Sequence, residues 1–345
     1  AGCEGGQCCT PPCAIWSRSF GDAISQYGYS VAVDASSNVI VGGYFGGNID
    51  FGGGALTSAG LDDVFVAKLD ASGNAVWSRR FGDGNSQILR SVAADASGNV
   101  VLTGYFAGAI DFGGGVLTSA GLFDIFVAKL DKNGDHVWSK RFGDGTDQIG
   151  RGIAVDGSGN VLVTGYVKGT TDFGGGGLVS AGDYDIFVLK LDAAGGHVWS
   201  KIFGDSVRQN GQAIAVDSSG AVLVTGSYQG SANFGGSSLV SAGMNDIFIA
   251  KLSSAGVHMW SKRFGDAADQ SALSVAPDGT GNVFLVGSFQ GGVDFGGGLL
   301  ASAGLDDAFV ARFSPLGAHV WSQRFGDGGA QYHYAVATDS AGNAV

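Results

Sequence analysis

The chain has 345 residues, 31 of them acidic and 19 basic, for a formal net charge of −12; 45% is hydrophobic and 14% charged. That apolar share supplies a folded core and argues against wholesale disorder. The acidic balance argues against a nucleic-acid binder, which needs a Lys/Arg-rich face, and no run of about 20 apolar residues is present to span a bilayer.

Residues 1–15 form a leader that holds all four cysteines, Cys3, Cys8, Cys9 and Cys13. In an exported protein these make two disulfides, with three pairings open. Ala1-Gly2-Cys3 also matches the end of a bacterial lipobox, with Cys3 as the lipid carrier. Zinc is the competing reading, but the cluster lacks His and the usual ligand spacing. Disulfide or lipid, the expected location is extracellular or at a bacterial cell surface.

From residue 16 onward the chain repeats. Trp16, Trp77, Trp138, Trp199, Trp260 and Trp321 are evenly spaced, 61 residues apart. Phe20-Gly21-Asp22 recurs in step at Phe81, Phe142, Phe203, Phe264 and Phe325. So does Gln26, at Gln87, Gln148, Gln209, Gln270 and Gln331. Within one period four segments rich in β-branched and aromatic residues predict strands: A at 91–95, B at 100–105, C at 124–130 and D at 136–142. Asp95-Ala-Ser-Gly-Asn99 and Asp131-Lys-Asn-Gly-Asp135 are short hairpin turns, while the B–C connection, 106–123, is a long Gly-rich loop. Sixty-three glycines, and a single Glu (Glu4) among the acids, fit an all-β chain with many tight turns. Four antiparallel strands repeated in tandem predict a β-propeller; a β-solenoid would have shorter coils.

The pattern Gly-Asp, Gln, Val-Ala-Val-Asp, Ser-Gly-Asn-Val, Thr-Gly, Asp-Phe, Asp-Ile-Phe-Val-Ala-Lys-Leu-Asp and Trp resembles the SBBP-type bacterial β-propeller repeat over residues 16–345. The resemblance implies a secreted or cell-surface protein and no particular catalytic residues.

Strand phase gives five complete blades, about 26–83, 87–144, 148–205, 209–266 and 270–327. A lone strand D at 13–22 and a partial blade at 331–345 leave a sixth blade split between the termini, without its strand C. A six-bladed ring in a longer parent is the preferred reading, with seven blades as the alternative. An incomplete blade exposes a strand edge that a neighbouring copy could complete, giving a filament subunit.

The D–A and B–C loops are expected on one face, with the short A–B and C–D turns on the other. One position varies from repeat to repeat while the strands around it hardly change: Tyr29, Arg90, Arg151, Gln212, Leu273 and Tyr334. These residues are the candidate ligand contacts, placed in the D–A loops. Their Arg, Tyr and Gln side chains suit a glycan, peptide or protein. A second varying set precedes strand C: Asp62, Phe123, Tyr184, Asn245 and Asp306. Three recurring Asp families, represented by Asp22, Asp50 and Asp63, are candidates for Ca²⁺, although capping of Gly-rich turns is the preferred reading and no cofactor is required. His136, His197, His258 and His319 lie on outer strand D, too far apart to share an ion. Trp138, Lys140 and Phe142 are expected to pack between blades. No Gly-x-Ser-x-Gly, His-Glu-x-x-His or phosphate-loop motif is present, so the sequence favours binding over catalysis, with a hydrolase or lyase as the remaining alternative.

Overall fold

The computed structural model describes residues 3–4, 7–8, 16–339 and 341–345. Cys3–Glu4 and Gln7–Cys8 pair as a short ladder. The disulfide and lipid assignments for Cys3, Cys8, Cys9 and Cys13 concern side chains outside the described residues.

Five four-stranded antiparallel sheets follow, each in the order A-B-C-D. Blade I comprises Gln26–Val33, Val39–Phe45, Asp63–Leu69 and Ala75–Phe81; blade II comprises Gln87–Ala94, Val100–Phe106, Asp124–Leu130 and His136–Phe142. Blade III spans Gln148–Val155, Val161–Val167, Asp185–Leu191 and His197–Phe203; blade IV spans Gln209–Val216, Val222–Tyr228, Asp246–Leu252 and His258–Phe264. Blade V spans Gln270–Pro277, Val283–Phe289, Asp307–Phe313 and His319–Phe325. The protein is an all-β propeller. Strand A of each blade packs on strand A of the next around a common axis.

Strand C is buried along its whole length in blades I–IV. It is interior to its sheet, and both of its faces meet other blades or the B–C connection, which is why it reads as an almost unbroken apolar run. The A–B turns close because an Asp carboxylate accepts two backbone N–H groups: Asp95 takes those of Ser97 and Asn99, at 2.9 and 3.0 Å.

Blades are joined by strand D. Trp77 and Phe81 of blade I share a core with Leu102, Phe106, Phe126 and Ala128 of blade II. Trp138 and Phe142 do the same in blade III, so their expected inter-blade packing is present.

A row of buried ion pairs, which the sequence reading missed, joins strand C to the A–B turn. Lys68 meets Asp34 at 2.7 Å, Lys129 meets Asp95 at 2.9 Å, Lys190 meets Asp156 at 2.9 Å and Lys251 meets Asp217 at 2.8 Å. In blade V, Arg312 meets Asp278 at 2.8 Å. Lys68 also donates to the carbonyls of Gly98 and Lys132 in blade II, both at 3.4 Å. The available signal was the Lys of Val-Ala-Lys-Leu keeping the same period as the Asp that ends strand A.

The B–C connection is not the open loop expected. It forms a second hairpin, Ala109–Asp111 with Val116–Thr118 in blade II, and it folds back along the blade. Its tip reaches His136, the first residue of strand D, at the opposite end of the blade from the end of strand B. Ile110 and Phe112 are buried, and Phe112 packs tilted against Phe81 of blade I at 4.8 Å between centroids. The Gly-rich segment is therefore spent on inter-blade packing, and its apolar Ile110 and Phe112 explain why.

The terminal segments occupy the sixth blade position without forming a sheet. Trp16 donates to the Ala71 carbonyl at 3.0 Å and Arg18 to Asn74 at 3.1 Å, contacts that match those of strand D on the following blade. Gln331 N–H donates to the Asp306 carbonyl, and Val336 N–H to Ser274, as strand A does elsewhere. Yet residues 16–22 and 331–337 lie in no strand, and only Thr338↔Ala344 bridges as the start of an A–B pair. The expected strand D at 13–22 and strand A at the C-terminus thus hold their positions without their ladders, because no strand B or C lies beside them. Residues 13–15 lie outside the described residues.

Candidate functional site at the propeller axis

Each A–B ladder contains one β-bulge at the same place. In blade II, Leu89 faces Gly104 and Ser91 faces Thr103, leaving Arg90 unpaired between them. The same slip leaves Tyr29, Arg151, Gln212 and Leu273 unpaired in blades I, III, IV and V. A bulge re-aims the extra residue. Here all five, with Tyr334 from the C-terminal segment, line one cavity of about 210 Å³ on the axis. The candidate ligand residues therefore come together, although not where they were expected. Five of them lie inside strand A, which in blade II begins at Gln87 rather than Ser91, and not in the D–A loops, while Tyr334 lies in the C-terminal segment outside any strand.

The strand B glycine, preceded by Thr in blades II–IV, makes the bulge possible. A Cβ at Gly104 would run into the Ile88 carbonyl oxygen, and Gly43, Gly165, Gly226 and Gly287 meet the same obstruction. Thr103 fixes the neighbouring position by donating to the Phe126 carbonyl at 2.9 Å. The bulge thus holds the axial residue by backbone geometry while leaving its side chain free to differ.

The axial cavity is mostly polar. Arg90 stacks 4.4 Å from the Tyr29 ring and 5.5 Å from that of Tyr105, and it reaches the Tyr105 hydroxyl at 3.4 Å. Arg151 lies 5.2 Å from the Tyr166 ring and donates to Gln212 Oε1 at 2.8 Å. Gln212 and Leu273 are half-buried, whereas Tyr29 and Tyr334 are exposed at the rim.

The repeated Phe-Gly-Asp and Gln motifs build the adjoining face. Gln87 is buried, donates to Asp83 at 2.6 Å and to the Ala107 carbonyl at 3.0 Å, and accepts from Asp83 N–H at 3.1 Å. Its own N–H donates to the Asp62 carbonyl of blade I at 2.7 Å. The residues before strand C join this face through their carbonyls, while their side chains pack on neighbours: Phe123 on Tyr105, Tyr184 on Tyr166, Asn245 on Asp269 and Asp306 on Tyr332.

The candidate Ca²⁺ carboxylates each have separate local partners. Asp22 accepts from the N–H groups of Ile24 and Asn48, which hold its carboxyl below the usual range. Asp50 accepts from Gly52 and Gly54 N–H, and Asp63 from Ala59 N–H and Arg80. Among the described residues no three His, Cys, Asp or Glu side chains gather as a metal-holding group. His136, His197, His258 and His319 each hydrogen-bond the Ser three residues on and lie over the middle glycine of the B–C hairpin tip of their own blade.

Residues 137–174 match the family model of the SBBP β-propeller repeat, a stretch that runs from strand D of blade II into the B–C hairpin of blade III. The chain is a β-propeller repeat protein and carries the SBBP repeat there. It is 22% identical over 273 residues to the uncharacterized WD repeat-containing protein L264 of Acanthamoeba polyphaga mimivirus. That match covers 61% of this chain and 19% of the viral protein, so the chain spans about a fifth of its length. Among solved structures, Sqt1 of Saccharomyces cerevisiae aligns with 9% identity and a TM-score of 0.43, covering 89% of this chain and 87% of Sqt1. A glucose dehydrogenase aligns with 12% identity and a TM-score of 0.44, covering 92% of each chain.

Proposed function

We propose that this propeller is an exported, non-catalytic binding module whose peptide or protein partner seats over the axial mouth. The observation that carries the reading is the bulge: the one ladder position left unpaired in every blade is the one whose residue changes from repeat to repeat, and all six converge on one cavity. Free variation at a converged position suits recognition of an irregular ligand. The lining offers guanidinium, amide, hydroxyl and apolar groups, a set suited to holding a partner rather than to moving protons. Export is supported by the clustering of Cys3, Cys8, Cys9 and Cys13. The test is a peptide, protein and glycan array probed with wild type and with a Tyr29→Ala/Gln212→Ala/Leu273→Ala variant. Wild-type binding to peptides or proteins that falls at least tenfold in the variant supports the reading. Glycan-only binding replaces the partner class, and unchanged binding removes the axial site.

A further inference from the structure

We infer that the axial cavity anchors an oxyanionic side chain, a carboxylate or phosphoryl group carried by a peptide, between Arg90 and Arg151. The inference rests on the axial-binding reading and names the chemistry of the anchor.

These are the two arginines that line the axial cavity, and most other arginines of the chain meet an aspartate. The buried strand C lysines each meet an aspartate. Arg80, Arg141, Arg263 and Arg324 meet the aspartate that opens strand C of their own blades, and Arg312 meets Asp278. The exposed Arg79 and Arg208 have aspartate partners as well. Among the described residues, neither Arg90 nor Arg151 is in an ion pair, in a chain with net charge −12. The axial cavity that both line contains no acidic residue.

Their hydrogen bonding is also incomplete. The Nε atoms of both arginines, like that of the aspartate-paired Arg312, are shielded from solvent and have no acceptor. Buried donors of this kind are normally satisfied, and a guanidinium offers five N–H groups in a planar fork that matches a carboxylate or phosphate. The existing contacts orient the forks without neutralising them: aromatic faces flank Arg90, and the Gln212 amide oxygen takes one N–H of Arg151. Two adjacent blades thus present two oriented cations to one small space. Its volume of about 210 Å³ falls below the usual range of small-molecule pockets, ~300–1,000 Å³, and suits one side chain. Aspartate is the chain's own solution for seven of its eight other arginines, Arg18 bonding Asn74 instead, and a peptide partner supplies the same group from outside.

The experiment follows the arginine Nε–H resonances of the full-length ¹⁵N-labelled chain. Three capped tripeptides are titrated in: acetyl-Gly-Asp-Gly-amide, acetyl-Gly-phosphoSer-Gly-amide and the neutral acetyl-Gly-Asn-Gly-amide. Saturable shifts of Arg90 and Arg151 with the Asp or phosphoserine peptide, at least tenfold weaker with the Asn peptide, support the inference. Whichever anionic peptide saturates identifies the group as carboxylate or phosphoryl. In the variants binding is followed instead through backbone amide shifts at residues 29, 90, 151 and 212: Arg90→Gln/Arg151→Gln is expected to lose the saturable response while its urea midpoint stays within the range set by Arg90→Lys/Arg151→Lys, which retains both charges and restores part of the affinity. Equal binding of all three peptides, unaffected by Arg90→Gln/Arg151→Gln but lost in the Tyr29/Gln212/Leu273 variant, overturns the oxyanion anchor and leaves axial binding standing. If none of the peptides binds and array partners are indifferent to the Tyr29/Gln212/Leu273 variant, both readings fall.

Discussion

The indole Nε1 of Trp77 donates to the carbonyl of Lys132 in the next blade, 55 residues away, at 3.0 Å. Trp16, Trp138, Trp199 and Trp260 repeat the bond to Ala71, Ala193, Ser254 and Pro315. Each tryptophan therefore fastens the end of one blade to the C–D turn of its neighbour. Trp321 makes no such bond among the described residues.

Trp77→Ala is accordingly expected to lower stability by about 3–5 kcal/mol, since it removes a buried aromatic at a junction. Trp321→Ala, at an open face, costs about 1 kcal/mol or less. Urea unfolding of both variants checks the contrast.

The hairpin tip provides a paired test. A Cβ at Gly114 would overlap the His136 ring, whereas at Gly53 the facing residue is Ala75, whose Cβ lies 3.9 Å away. Gly114→Ala should cost about 1–3 kcal/mol, and His136→Ala in the same chain should recover most of it. Gly53→Ala should change the midpoint little. A thermal-melt series of the three variants against wild type decides.

Gly104 faces backbone, which cannot give way as a side chain can. Gly104→Ala is expected to cost about 3 kcal/mol and to displace the bulge, so that Arg90 no longer aims at the axis. Backbone amide shifts at residues 88–91, recorded below the new unfolding transition, report the change.

Two aspartates should respond to pH in opposite senses. Burial pushes the Asp34 carboxyl up, but hydrogen bonds from Asn38 and Lys68 outweigh it and leave it well below the usual range. Its contribution to stability is full above about pH 4, the unfolded value, and is lost as pH falls further. Lys68→Met strands the buried carboxylate and should cost about 3–5 kcal/mol at pH 7, with a smaller difference near pH 3.

Asp185 is the converse case. Blade III has Ile202 where the other blades have Arg80, Arg141, Arg263 and Arg324, and burial pushes the Asp185 carboxyl up. The folded state then holds a proton that the unfolded chain releases, so stability declines as pH rises above 3.8 through the folded value. Ile202→Arg should restore the pair and add about 1 kcal/mol at pH 7 but little near pH 3. Denaturation across that range measures the slope.

The period, the four strands per blade, the turns and the tryptophan junctions were legible in the sequence, because the same packing problem is solved at every repeat and leaves the same residues at the same spacing. The six axial residues were legible too, as the position that varies within an unvarying frame. Their placement on the axis came from tertiary structure. It depends on a ladder slipping by one residue, and the slip is set by how closely a strand B glycine lets the opposite carbonyl approach. The folding back of the B–C hairpin onto strand D and the pairing of Lys68 with Asp34 were likewise decided in three dimensions. Each joins groups far apart in the chain, and composition and spacing name such residues without saying which ones meet.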